Sequence, residues 1–485
     1  PAAEAGWCHR LADPPGGHHR ARPRGRTVTV PDQPENLTER LADFVAATRL
    51  EDLSDSARER ARVVLADTVA SALMGGRSSE VPMIERLAAA VAGPGNSPIV
   101  GRPSLAPGGA VLVNGYLITA TTVCDVHKAT LCHVTPEVFP PALAVAVERG
   151  ASGKDFLLAF ALGLEITSRV GLGSDYQAFR GNGWHSPGVW GPFGGAAAAG
   201  KLLGLDARQM RNAFGLAGSQ SAGTFAHWGT PTIKFHQSRG ALSGFIAATL
   251  ADTGFEAGAD VLTAADGGLY GTYSNGGKPE LALDGLGDRW ELEQLSLRAW
   301  PLASSLQSVA TALLHLVEVE GAQAANVATV RVGLSRTVYD MHGSLPWDDR
   351  FHALLSAPFV TAVILTDGTC GLGQFTAERL KDAQVDRFAR ENVRIEVDEA
   401  VQGTGAVVDI ELTDGRRLHD QRAVPHGDPQ DPLSLADVRA KFLAAAEGIV
   451  PDGQAATTFD RLTRIDELPV VDAALFSAEI AGDQR

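Results

Sequence analysis

Glycine and alanine dominate residues 188 to 223, and no other stretch of this chain narrows its fold as much. Alanine is the strongest helix former. Side chains this small also let neighbouring helices approach closely. The stretch therefore predicts a tightly packed helical core, and the preceding segments agree. Asn36 is placed to cap a helix with Glu39 at the capping-box position, and Leu37, Leu41, Phe44 and Val45 follow at helical spacing. Ser54 caps a second helix that stops at Gly75–Gly76. Further helices are expected over 109–126, 141–148 and 154–170, from Asp206 with Gln209, and over 240–253.

The pattern changes near residue 290. Val327 to Leu334 and Asn392 to Val401 alternate as strands do, and two more strands flank Asp414–Gly415, a strong hairpin-turn signal. Helical segments near 302–318, 353–366 and 376–389 lie among them. The fold class is thus mainly α with an α+β second domain. A helical domain is expected over 36–292, a smaller α+β lid over 293–430, and a helical return over 431–485. Residues 1–35, rich in Pro, Gly and Arg with little apolar periodicity, read as a disordered N-terminal extension. A cleft between two such domains is a natural place for a small-molecule site.

Composition bounds the partners. A formal net charge of −15 argues against nucleic acid, which needs clustered basic residues to neutralise phosphate. No apolar run of membrane-spanning length is expected, because Gly, Lys and Asp break the alanine-rich stretches. The four cysteines, Cys8, Cys124, Cys132 and Cys370, have no metal-binding or disulfide-framework spacing; reduced thiols in a cytoplasmic setting are the simplest reading.

Four clusters carry candidate chemistry: Cys124–Lys128 with Cys132–His133; Gly183-Trp184-His185-Ser186-Pro187; His227 through His236 with Arg239; and Arg298-Ala299-Trp300-Pro301. Asp125, His127, Cys132 and His133 could in principle hold a metal, but their spacing matches no zinc pattern, so none is expected. There is no Walker sequence, and Gly181-Asn182-Gly183 lacks the third glycine of a dinucleotide fingerprint. No serine sits in a Gly-x-Ser-x-Gly setting. General acid–base chemistry fits better. Histidine exchanges protons near neutrality, while lysine and arginine hold carboxylates and stabilise a forming enolate.

These motifs resemble the MmgE/PrpD family. Gly183-Trp184-His185 through Gly191-Pro192-Phe193-Gly194 to Lys201-Leu202-Leu203-Gly204-Leu205 is similar to that family's Gly-x-His…Lys-Leu-Leu-Gly-Leu segment. Ile233-Lys234-Phe235-His236 with Arg239 is similar to its Lys-x-x-His-x-Gly-Arg segment; Val113-Asn114-Gly115, Gly163-Leu164-Glu165 and Asp431-Pro432-Leu433-Ser434 add to the match. The resemblance spans about residues 37 to 475. It implies the MmgE/PrpD fold, a homodimer, an interdomain site and no cofactor. It places the active-site histidines on His185 and His133, with Asp125 in the acidic stretch, and an active-site lysine on Lys234.

Departures from the family pattern shape the expectation. A second family lysine falls on Arg298, a threonine on His127, an aspartate on Val123 and a tyrosine on Phe359. The Cys-x-x-Tyr-x-His segment falls on Ser304 to Gln307. These changes point to a substrate with fewer carboxylates, or a bulkier group, than a tricarboxylate. The expected function is a cofactor-independent lyase that removes a proton beside a carboxylate or carbonyl of a small organic acid, with loss of water or CO2. His185, Lys234, His133 and Asp125 are the catalytic candidates; Arg298, His127, His236 and Arg239 are expected to bind substrate. The alternatives are an epimerase or isomerase using the same proton abstraction, and a ligand-binding protein without turnover.

Overall fold

The computed structural model describes residues 36–451 and 453–476, so the extension expected over 1–35 lies outside the described residues. Ten helices lead the fold: α1 (Leu37–Ala47), α2 (Asp55–Gly75), α3 (Val81–Ala92), α4 (Pro107–Thr119), α5 (Thr135–Arg149), α6 (Gly153–Gly173), α7 (Tyr176–Gly181), α8 (Ser186–Leu203), α9 (Ala207–Gly218) and α10 (Thr232–Asp252). The expected caps are present: the Asn36 side chain accepts from Thr38 and Glu39, Ser54 from Ala57, and Asp206 forms a capping box with Gln209.

The Gly/Ala-rich segment is α8, the hub of the domain, packed against α5, α6, α9 and α10. Its small residues are required where α6 crosses it. A Cβ on Gly163 would stand 2.8 Å from the Gly194 carbonyl oxygen, and one on Gly194 would overlap the Thr167 hydroxyl. Contrary to expectation, α6 is long and apolar enough by length and composition to cross a membrane. Here, however, 94% of that stretch is buried inside the protein. It also carries a buried pair, Glu165–Arg169, whose guanidinium donates to the carbonyls of Ala282, Asp284, Gly285 and Arg289. α6 is therefore a core helix that ties down the segment leading to the second domain.

Two short antiparallel pairs, the hairpin β1 (Ser97–Ile99) with β2 (Arg102–Leu105) and the long-range pair β3 (Val126–His127) with β4 (Leu295–Ser296), brace this domain. The second domain holds β5 (Val327–Leu334), β6 (Val393–Val397), β7 (Ala406–Leu412) and β8 (Arg417–Arg422) in the order β6-β5-β7-β8. β7 and β8 form the antiparallel hairpin about Gly415, while β5 pairs parallel with β6. The helices Gln307–Glu320, Ala357–Asp367 and Ala383–Glu391 pack on the sheet around a core of Val330, Val332, Phe359, Val363 and Ile410. The helix Leu435–Ala446 returns to α2, and its Val438 and Phe442 join the core of the first domain.

Three elements near the candidate residues differ from expectation. α4 ends at Thr119, and a loop follows in which Thr122 and Leu131 take left-handed backbone (φ 56° and 48°), uncommon for residues with a Cβ. α5 starts at Thr135, before its internal Pro140–Pro141, because the Asp125 carboxylate caps it across that loop. α10 starts at Thr232, so Lys234 and His236 sit at its N-terminal end and not in a loop.

Candidate active site

Three helix starts meet. His133 lies two residues before α5, His185 is the N-cap of α8, and Lys234 and His236 open α10; α5, α8 and α10 pack on one another. Arg298 enters from the segment between the two domains. The strand-like pairing of Trp184 with Thr224, with Phe225 N–H on the Gly183 carbonyl (2.8 Å) and His185 N–H on that of Gly223 (3.0 Å), fixes the His185 backbone.

Charge is unbalanced here. Lys234 is 5% exposed and Arg298 2% exposed. Arg298 donates through Nε to the Cys124 carbonyl and through its Nη groups to the Cys124 Sγ (3.1 Å) and the Leu302 carbonyl (3.4 Å); none of these is a carboxylate. The Lys234 ammonium makes no hydrogen bond or ion pair among the described residues and stands 5.9 Å from the centroid of the Phe351 ring. Burial, and then the neighbouring Arg298, push Lys234 down to about 7. Neither cation is hydrogen-bonded to a carboxylate among the described residues; Asp67 and Asp125 act on Arg298, and Glu80 on Lys234, only through space.

The histidines supply the opposite property. Burial, followed by Arg298 and Lys234, holds His133 well below its usual value. Burial, followed by His236 and Lys234, does the same to His185. Both rings are therefore neutral at pH 7 and able to exchange a proton. The His133 Nδ1 is 2.8 Å from the Asp125 backbone carbonyl, which can only accept, and 3.4 Å from an Arg298 Nη, which can only donate; the shorter contact favours the proton on Nδ1, with the lone pair on Nε2. His185 and His236 face each other, Nδ1 to Nδ1, at 3.2 Å. This approach needs Gly223 (φ 131°), where a Cβ would stand 2.9 Å from the His236 Nδ1.

The remaining candidates are placed as supports. Asp125 is buried, and its carboxylate accepts from the N–H groups of Val134 (3.0 Å) and Thr135 (3.1 Å) and from the Thr135 hydroxyl. The His127 ring is fully buried between Thr130 Oγ1 (2.9 Å) and Glu291 Oε2 (3.3 Å). The Arg239 guanidinium donates to the carbonyls of Gln220, Gly188 and Ala222 and to the Ser243 hydroxyl, clamping the 220–222 turn against α8. Phe359 lies in the second domain's core, against Trp347 and Phe375. Among the described residues, no three His, Cys, Asp or Glu side chains converge as metal ligands.

The N-terminal domain model of the MmgE/PrpD family matches residues 39–282, and its C-terminal domain model matches 300–464. The chain belongs to the MmgE/PrpD family. It is similar to a cis-aconitate decarboxylase of Aspergillus terreus, 26% identical over 90% of this chain and 95% of the relative. A cis-aconitate decarboxylase-like protein of Aspergillus oryzae is 28% identical over 91% and 95%, and the Homo sapiens cis-aconitate decarboxylase 27% over 85% and 88%.

Two features escape a reading of the sequence. The Lys441 ammonium contacts the Asp67 carboxylate (2.6 Å) and the carbonyls of Val123 and Arg298 (2.9 Å each), tying the returning helix to both edges of the cationic pocket. Their 374-residue separation hides the pair; only a lysine within an apolar helical pattern signals it. Glu137 is fully buried with neither carboxyl oxygen partnered. Burial, then Asp125 and Cys124, raise it well above the usual carboxylate range. An acidic residue in the apolar run that includes Val138 and Phe139 was its only sign.

Proposed function

We propose that this protein is a lyase acting on a small carboxylic acid, with release of CO2 or water. The observation that carries the reading is the buried Lys234–Arg298 pair, which makes no ion pair among the described residues and lies beside neutral histidines. The cations bind a substrate carboxylate and stabilise negative charge as it spreads onto that group when the adjacent carbon becomes carbanionic. The His133 Nε2 lone pair suits it as the base, and His185 as the group that returns a proton. The resemblance to cis-aconitate decarboxylases over most of their length supports this class of reaction.

Cis-aconitate is the first substrate to test, with CO2 release followed directly and other small di- and tricarboxylic acids screened for loss of water or CO2. Turnover should fall by roughly 10²–10⁴-fold in His185→Asn with the thermal midpoint kept. Solvent deuterium entering a bound acid with nothing lost would replace the lyase reading with an isomerase. Thermal stabilisation by acids without turnover of any would make the protein a binding module.

A further inference from the structure

We infer that His185, His236 and His227 form a proton path from the buried site to solvent. The inference rests on the proposed acid–base reaction, in which His185 takes part, and adds His236 and His227, which that reaction does not use. Three observations carry it. His185 and His236 are both buried and meet Nδ1 to Nδ1 at 3.2 Å, so the pair shares one proton between two facing nitrogens. His227 stands edge-on to His236 with ring centroids 5.7 Å apart, and His227 is exposed. Gly223 leaves room for the first contact, and the turn it belongs to is clamped by Arg239.

The charged surroundings decide how protons move along this line. Lys234 and Arg180 act on His185, and Arg239 and His227 on His236, all disfavouring an imidazolium. Burial comes first for both rings, and His236 is held down to about 4. Transfer between neutral tautomers avoids that cost. With His236 protonated at Nδ1 and His185 at Nε2, His185 gives its Nε2 proton to the substrate carbon. Its Nδ1 takes the His236 proton, and His236 Nε2 takes one carried by solvent water from the side of the exposed His227, whose ring lies 5.7 Å away and makes no hydrogen bond to His236. One N–H bond breaks and one forms at each buried ring, and neither gains net charge. In the resulting state the His185 Nε2 is an acceptor, so the path is a reversible shuttle: a proton that this nitrogen next takes, from substrate or from water in the emptied site, drives the reverse transfers, releases one to solvent and restores the starting tautomers. The path gives a site enclosed by helices an exchange route other than diffusion of water past the substrate.

The test uses the full-length protein with His227→Ala, a change at an exposed ring. In weak buffer, turnover of cis-aconitate, or of whichever acid in the screen is turned over, should fall about 10-fold with the thermal midpoint unchanged, and added imidazole should restore it while leaving the unsubstituted protein unaffected. Histidine labelled with 15N gives a readout independent of catalysis. The shared His185–His236 proton should exchange with water more slowly in His227→Ala and be absent in His236→Gln. Unchanged exchange in His227→Ala, or turnover that falls without buffer rescue, overturns the proton path. Slowed exchange in a protein that turns over no acid leaves the path standing and removes the lyase reading.

Discussion

Replacing Lys234 by methionine should make the protein more stable and less active. Methionine keeps the bulk of the side chain and removes a buried cation that has no partner. The fall from 10.5 to about 7, at about 1.4 kcal/mol per pKa unit, amounts to roughly 5 kcal/mol against the ammonium. Relaxation and solvent entry reduce this, so a gain on the order of 2–4 kcal/mol at pH 7 is expected. The pH dependence fixes the cause. Between about 7 and 10.5 the unfolded chain holds the lysine proton and the folded chain does not, so folding becomes more favourable as pH rises through that window. The advantage of Lys234→Met should therefore be largest near pH 7 and below, and shrink towards pH 10. Denaturant titrations at pH 6.5 and pH 10 measure it. A carboxylate ligand at 100 times its Kd should stabilise the unsubstituted protein by about 2.7 kcal/mol and the variant far less. A Met variant less stable than its parent at pH 7, or one that binds the acid equally well, refutes the assignment of Lys234 as an unpaired anion-binding cation.

Gly223→Ala places a Cβ 2.9 Å from the His236 Nδ1 at a backbone φ of 131°; it should lower stability by about 1–3 kcal/mol and lower turnover by separating the histidine pair, read by thermal melts and initial rates. Lys441→Met leaves Asp67 buried without its cation and should cost about 3–5 kcal/mol, while adding Asp67→Asn should recover part of the stability without restoring full activity, because the Val123 and Arg298 carbonyls stay untethered.

Features written in local sequence were legible. Caps at Asn36, Ser54 and Asp206, the small residues of α8 and the Gly415 hairpin depend on neighbours within a few positions. The family resemblance brought His185, Lys234, His133 and Arg298 into one list, and the structure places them within reach of one another. What stayed hidden was long-range. The start of α5 is set by a carboxylate ten residues upstream, and the parallel pairing of β5 with β6 by strands 60 residues apart. His127 and Arg239 look like site residues in sequence because they sit beside motif residues, yet their polar atoms are engaged by Thr130, Glu291 and the 220–222 turn. Composition cannot reveal which hydrogen bonds a side chain has already made.

The tie between Lys441 and the cationic pocket bears on when this protein becomes competent during synthesis. Many contacts among α1 to α10 can form as those helices are made, although Val438 and Phe442 of the returning helix complete their core, and the second domain has its own. The edges of the pocket, at Val123 and Arg298, are joined only once the lysine of a helix near the end of the chain has docked against Asp67. A nascent chain lacking that helix thus exposes Asp67 and leaves its pocket unjoined, so binding of an acid there is deferred until this helix has emerged from the ribosome. Ribosome-bound chains halted before and after residue 441 would show this as a step in ligand capture, at a length where most of the fold already exists.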